Sequence, residues 1–375
     1  MLLPKCQCLR LLLGERSIVL RFSYSINGCQ LGKLQITLLA GMLVVAVFAK
    51  AGALSFMTLD NPDAPVFAGY GTRIFGINES GEMVGSYLNA SFYTASFTYS
   101  NGVFASLNYP SAIETDVSRI NNAGQISGSY YDGHQNHGFL NSGNSWTSID
   151  FPGAMFTSIR VSNATGEFVG DYSPNSSGPH GFIYNGTYTT FDIPGALSTS
   201  IANINNDGDF VGVYQDSAFN FHGFLYSGGV LTHLDFPGSV QTAIFGINNA
   251  GEIVGSYENR DEIDRGFIYS GRVYMAVNYP VDVPYLQIFD INDSGQMVGG
   301  YAVITDFPGS FPNPVVHGFI ATPVSTPEPN GAALFGFGAT FLILYARWRK
   351  CADAKLSSLA LYAIPASPAP AKETV

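Results

Sequence analysis

Apolar strand ends, short polar turns and apolar strand starts follow one another along most of this chain. The clearest instance is Ile247-Asn248-Asn249-Ala250-Gly251-Glu252-Ile253-Val254-Gly255-Ser256-Tyr257. Close relatives of it begin at Ile77, Ile120, Ile204 and Ile291, with a weaker copy around Asn163. The first glycine of each copy falls at Gly81, Gly124, Gly166, Gly208, Gly251 and Gly295, at gaps of 43, 42, 42, 43 and 44 residues. Periodicity of that kind marks a repeat architecture. A second motif keeps step with the first: His137-Gly138-Phe139, His180-Gly181-Phe182, His222-Gly223-Phe224 and His317-Gly318-Phe319, with Arg265-Gly266-Phe267 and Ala95-Ser96-Phe97 as variants. A third is Asp150-Phe151-Pro152-Gly153, Asp192-Ile193-Pro194-Gly195 and Asp235-Phe236-Pro237-Gly238, loosened to Asn108-Tyr109-Pro110 and Asn278-Tyr279-Pro280.

Together the motifs predict four short strands per copy. The first ends at the Ile-Asn pair, and an Asn-x-x-Gly turn leads into the second, the Val-Gly-x-Tyr segment. The third is the Gly-Phe segment, which reverses through Asn101-Gly102, Asn185-Gly186 or Gly228-Gly229. The fourth runs to the Asp-x-Pro corner, where proline lacks a ladder donor. Four antiparallel strands in such a period is the size of a propeller blade. The sixth copy stops after its third strand, whereas Phe56-Met57-Thr58-Leu59-Asp60-Asn61-Pro62 resembles a fourth strand without a copy of its own. Pairing the two closes the ring and hides the edges. The expected fold is therefore all-β: a six-bladed β-propeller of four-stranded antiparallel blades closed by an N-terminal strand. An open solenoid is the competing architecture and leaves the orphan strand unexplained.

The two ends of the chain are patterned differently. Leu34 to Ala49 is an apolar run preceded by Arg10, Arg16, Arg21 and Lys33 and followed by small residues, which predicts a signal helix with cleavage near Ala51 or Ala53. Gly331 to Ala346 is a second apolar run, after Pro327-Glu328-Pro329 and before Arg347, Trp348, Arg349 and Lys350. It predicts a short transmembrane helix whose basic end stays cytoplasmic. The expected divisions are a signal peptide with a long basic leader (1–53), the six-repeat propeller (54–322), a linker carrying Pro-Glu-Pro (323–330), the transmembrane helix with its basic stop (331–350) and a disordered tail (351–375).

Charge sharpens this division. Between Leu54 and Ala346 there are 25 acidic residues, six arginines and no lysine, a net of −19. Such a region repels phosphate backbones, which argues against nucleic acid as a partner. All four cysteines, Cys6, Cys8, Cys29 and Cys351, lie in the flanks, so no disulfide or thiolate metal site supports the repeats.

The order Pro327-Glu328-Pro329, apolar helix, Arg347, Arg349 and Lys350 resembles the PEP-CTERM sorting signal. That resemblance implies processing by an exosortase-type enzyme in a bacterium that makes exopolysaccharide, with transit through the inner membrane to the cell surface or beyond. The chain departs from the pattern in continuing from Cys351 to Val375. The repeats from about Ile74 to Ile320 resemble the extracellular HAF repeats, with glycine here in place of alanine in the His-x-Phe segment. That family implies location and architecture, not chemistry.

Six tyrosines, Tyr87, Tyr130, Tyr172, Tyr214, Tyr257 and Tyr301, end the second strands beside connections that differ from copy to copy: Leu88–Thr94, Tyr131–Asn136, Ser173–Pro179, Gln215–Phe221, Glu258–Asp264 and Ala302–Val316. Constant turns on one face and divergent loops on the other are how a scaffold presents a binding surface. The tyrosines are the candidate ligand-binding residues, for stacking on sugars, although packing between blades explains them as well. The four repeated histidines are assigned to structural hydrogen bonding, since no nearby carboxylate is evident to orient them as metal ligands. Asp150, Asp192 and Asp235 are read as caps of the corner. Similar residues on separate blades do not form the dissimilar pair that glycosidase chemistry uses. No catalytic residue, cofactor or metal is expected. The expected function is an exported surface protein that binds extracellular polysaccharide or forms part of its matrix; the alternative is an extracellular carbohydrate-active enzyme, a hydrolase or lyase.

Overall fold

The computed structural model describes residues 54–65, 71–89, 91, 93–175, 178–281, 283–305 and 313–324, with the backbone of four short strands between residues 13 and 36. Each sequence repeat forms one four-stranded antiparallel unit. Unit two is typical, with strands Glu114–Ile120, Gln125–Tyr131, Asn136–Ser142 and Ser145–Ile149 in ladder order. The first strands of the six units are Thr72–Ile77, Glu114–Ile120, Phe156–Ser162, Ser198–Ile204, Gln241–Ile247 and Tyr285–Ile291. They touch one another in cyclic order, the sixth against the first.

The orphan strand pairs as expected. Leu54–Thr58 lies antiparallel to Asn313–Pro323, with Thr58 opposite Phe319 and Phe56 opposite Ala321. It serves as fourth strand to unit six. One expectation changes here: the long connection Ala302–Val316 is strand as far as Thr305 and again from Asn313, because Val303 pairs with Val315 and extends the ladder.

The apolar core lies between neighbouring units. The phenylalanine of the third strand, Phe97, Phe139, Phe182, Phe224, Phe267 or Phe319, is almost wholly excluded from solvent in every unit. Each such ring contributes roughly 1.5–3 kcal/mol through burial. The cluster around Phe97 unites Leu59, Ile74, Ile77 and Met83 with Val298 and Ile320 of unit six. The cluster around Phe267 likewise draws Val211 from unit four. A single unit therefore has no complete core of its own.

Each first strand also carries a one-residue bulge, as between Ile201 and Asn203, which bends the strand and re-aims a side chain. The glycine of Val-Gly-x-Tyr lies across from it. A Cβ on Gly212 would stand 2.1 Å from the Ser200 carbonyl oxygen, so only glycine permits this approach.

The expected terminal helices and the tail fall largely outside the described residues. Of the first apolar run, Leu34, Gln35 and Ile36 end the strand Cys29–Ile36, which pairs with Leu20–Ile26. Among the described residues no helix is long and apolar enough to cross a membrane.

Candidate functional site

The six hairpin turns between first and second strands gather at one end of the ring. In unit five, Asn248 Oδ1 accepts from the N–H groups of Ala250 and Glu252 at 3.1 and 2.8 Å. Gly251 takes the positive φ of 73° that the turn needs. The same asparagine then links units: its Nδ2 donates to the Asn292 carbonyl of unit six at 3.1 Å. Equivalent bonds run from Asn78 to Asn121, Asn163 to Asn205, Asn205 to Asn248 and Asn292 to Asn78. A second ring uses the following residue. The N–H groups of Glu79, Ala164, Asn206 and Asn249 donate to the side chains of Asn122, Asn206, Asn249 and Asp293, and that of Asp293 to Glu79. The sixth unit thus bonds the first in both rings.

Inside these rings is a cavity of about 360 Å³, walled by Ile77, Ile120, Ile204, Ile247 and Ile291 and floored by Val161, Asn203 and Asp290. Arg119 closes the axis at this level. One of its terminal nitrogens donates to the carbonyls of Phe245 at 2.9 Å and Phe289 at 2.8 Å, from unit two to units five and six. Glycine at the equivalent positions of units one and five leaves the room: a Cβ on Gly76 would be 3.1 Å from the Arg119 Cα. Burial pushes the Asp290 carboxyl up to about 6, against the pull of the Arg119 guanidinium and of the Ile77 N–H. Asp290 accepts from Ile77 N at 3.1 Å and Asn203 Nδ2 at 3.0 Å. The lining holds no lysine or arginine.

The opposite face, that of the divergent loops, holds the other repeated polar residues. The recurring carboxylate that was not evident in the sequence is the corner aspartate itself. Nδ1 of His137, His180, His222 and His317 lies 2.9, 3.0, 2.9 and 2.7 Å from Asp150, Asp192, Asp235 and Asp60. This corrects the assignment of Asp150, Asp192 and Asp235 as corner caps; they hold histidines. The corner is held instead by a threonine of the next first strand. Thr115, Thr157, Thr199 and Thr242 Oγ1 accept from the N–H of Tyr109, Phe151, Ile193 and Phe236. Units one and five, which have Ala95 and Arg265 instead of histidine, have Asn108 and Asn278 at the corner. That covariation among copies is the signal for the pairing. The histidines do serve structural hydrogen bonding. Among the described residues no group of three or more potential metal ligands converges.

The six candidate tyrosines sit between units. Tyr130 stacks on Tyr109 of the preceding unit at 3.6 Å and 4°, with the His137 ring 5.0 Å away. Tyr172 stacks on Phe151 at 3.6 Å, Tyr257 on Phe236 at 3.7 Å and Tyr301 on Tyr279 at 4.1 Å. Tyr214 packs with Ile193, and Tyr87 joins the cluster around Phe97. The hydroxyls of Tyr130, Tyr172 and Tyr301 meet side chains of the fourth strand, Ser148 at 3.0 Å, Thr190 at 2.9 Å and Thr58 at 2.8 Å. Intramolecular rings thus cover face area that a sugar would need. The sorting residues Pro327, Glu328, Pro329, Arg347, Arg349 and Lys350 lie outside the described residues.

This axial cavity therefore opens on the face of constant turns, not among the divergent loops. Its floor residues were missed because they share one position, immediately before the Ile of the Ile-Asn pair. There the copies read Gly76, Arg119, Val161, Asn203, Gly246 and Asp290 (Ser162 replacing Ile in the third copy). Disagreement among copies at an otherwise regular position was the available signal.

No protein-family model matches the chain, and no curated protein matches it. Solved structures do. TolB from Acinetobacter baumannii is similar at 12% identity over 72% of this chain and 78% of that one, with a TM-score of 0.48. A six-bladed β-propeller fungal lectin, Aleuria aurantia lectin, is similar at 10% identity over 73% and 100%, with a TM-score of 0.40. The β-propeller domain of the Trilobed protease from Pyrococcus furiosus is similar at 12% identity over 69% and 86%, with a TM-score of 0.41.

Proposed function

We propose that the six units close as a six-bladed β-propeller and that the chain is an exported, surface-associated protein that binds extracellular polysaccharide without turning it over. The observation that carries this reading is the axial cavity. It is concave, amide-lined and apolar at its waist, as small-molecule sites are, and its carboxylates are already engaged. Asp290 accepts from Ile77 and Asn203, and Glu79 and Asp293 are bound in the rim. Export is supported by the apolar run at Leu34 to Ala49 and by Pro327, Glu328, Pro329, Arg347, Arg349 and Lys350, which suit an exosortase-type partner and passage through the inner membrane. The acidic, lysine-free repeats argue against nucleic acid.

One observation favours the enzymatic alternative: burial raises Asp290 to about 6, in the range of a general acid. The test for both is a glycan array on the full-length chain in mild detergent, followed by incubation with each retained polysaccharide. Saturable retention without chain cleavage is the expected result. Oligosaccharides released by the wild type and not by Asp290→Asn would replace this reading with a hydrolase or lyase.

A further inference from the structure

Both hydrogen-bonded rings break at the same place, between units two and three. In the inner ring, Asn121 Nδ2 donates to the Ser162 carbonyl at 3.3 Å, one residue short of the partner its equivalents use. In the outer ring, Ala164 stands where other units carry Asn122, Asn206, Asn249, Asp293 or Glu79. It has no side chain to accept from the Asn122 N–H, which is left at an exposed rim position without that partner.

The same unit replaces the wall isoleucine with Ser162. Its hydroxyl donates to Gln125 Oε1 at 2.5 Å and accepts from Asn121 Nδ2 at 2.9 Å. Gln125 Nε2 then reaches Ser142 Oγ at 3.0 Å. The cavity extends sideways here alone: Gln125, Ser142 and Gly166 line it, and their equivalents in other units do not. At the floor, Asn203 lines the cavity with its Nδ2 spent on Asp290, and no protein donor to its Oδ1 is found among the described residues. An amide oxygen that faces a cavity without a protein donor keeps its acceptor capacity for a ligand hydroxyl.

We infer that the break between units two and three is the entrance of a saccharide subsite, in which a non-anionic sugar unit donates a hydroxyl to Asn203 Oδ1 and accepts from the Asn122 N–H. A volume of about 360 Å³ lies near the small end of ligand pockets, which run from about 300 to 1,000 Å³. Three carboxylates, Glu79, Asp290 and Asp293, and no cation in the lining disfavour uronic acids and phosphorylated sugars. This inference rests on the binding reading above.

The test restores the consensus. Ser162→Ile with Ala164→Asn gives unit three what its neighbours have and closes the break. Full-length wild type and variant in mild detergent are titrated with chitotetraose, maltotetraose and tetragalacturonate by calorimetry. The wild type is expected to bind one of the neutral tetrasaccharides and not the uronate. The double variant is expected to lose at least tenfold in affinity with an unchanged or higher melting temperature. Ala164→Asn alone, at an exposed turn position, serves if the double variant does not fold. A variant that folds and binds as the wild type overturns the entrance and leaves the binding function standing. Preference for the uronate overturns the ligand class. A wild type that binds none of the three, and retains nothing on the glycan array, removes the binding function as well.

Discussion

The two ends of the ring solve different problems with the same repeated alphabet. On the turn face, asparagine side chains reach from one unit to the next, Asn205 to Asn248 and Asn248 to Asn292, so the polar bonds there hold the circle together. On the loop face, histidine reaches aspartate within its own unit, His222 to Asp235. Contacts to the neighbour there are made at the corner, by threonines such as Thr242, which accepts from the Phe236 N–H, and by stacked rings such as Phe236 on Tyr257. A bond between units constrains two repeats at once, whereas a bond within a unit leaves the adjoining loop free. The turns that carry the asparagine bonds are uniform, whereas the loops diverge. The turn face has its own exceptions to uniformity: Ser162 and Ala164 break the rings, and Arg119 and Asp290 meet at the axis.

The contrast is broken most severely at the axis. Asp290→Ala removes the acceptor for the Ile77 N–H and Asn203 and leaves Arg119 buried without its counter-charge. Loss of one partner from a buried pair costs about 3–5 kcal/mol, so a large fall in urea midpoint is expected. A change under 1 kcal/mol would mean that the turn face closes without its axial network. Thr199→Val is a medium case on the loop face. It keeps the shape and leaves the Ile193 N–H, bonded at 3.0 Å, without an acceptor, at an expected cost of about 1–3 kcal/mol. Unit six, which has Leu286 at that position, is an internal control: Leu286→Thr should not produce an equal and opposite gain, because its surroundings have packed around leucine.

The smallest effect is in pH dependence. Burial opposes the charge on His137 and His222, but Asp150 with Asp132, and Asp235 with Asp216, outweigh it and raise both imidazoles above their ordinary value. Stability from these pairs is complete below about pH 6.5 and is lost as pH rises through the raised folded value. His137→Gln and His222→Gln should each flatten the decline in denaturation midpoint above pH 6.5, by under about 1 kcal/mol for such exposed pairs. An undiminished decline in the double variant would assign the titration elsewhere.

Much of the repeat scaffold was legible in advance. The period, the positive-φ glycine of each turn, the Gly-Phe strand and the closing segment at Phe56 all express local rules of turn chemistry and strand patterning. The histidine–aspartate pairing was not read in advance, although histidine and aspartate vanish together in units one and five. Nor was the cavity. Its floor joins Val161, Asn203 and Asp290, up to 129 residues apart, and nothing in their local patterns says that they meet.

By itself the amino-acid order determined the repeat, the four strands of each copy and the pairing of Leu54–Thr58 with the final one, because strand and turn preferences act over a few residues. Only the tertiary arrangement decided that first strands face a common axis, that tyrosine rings are spent on packing and that an axial hollow lies under the constant turns. Those outcomes depend on which side chains converge across the ring, and convergence is a property of closure that no single repeat contains.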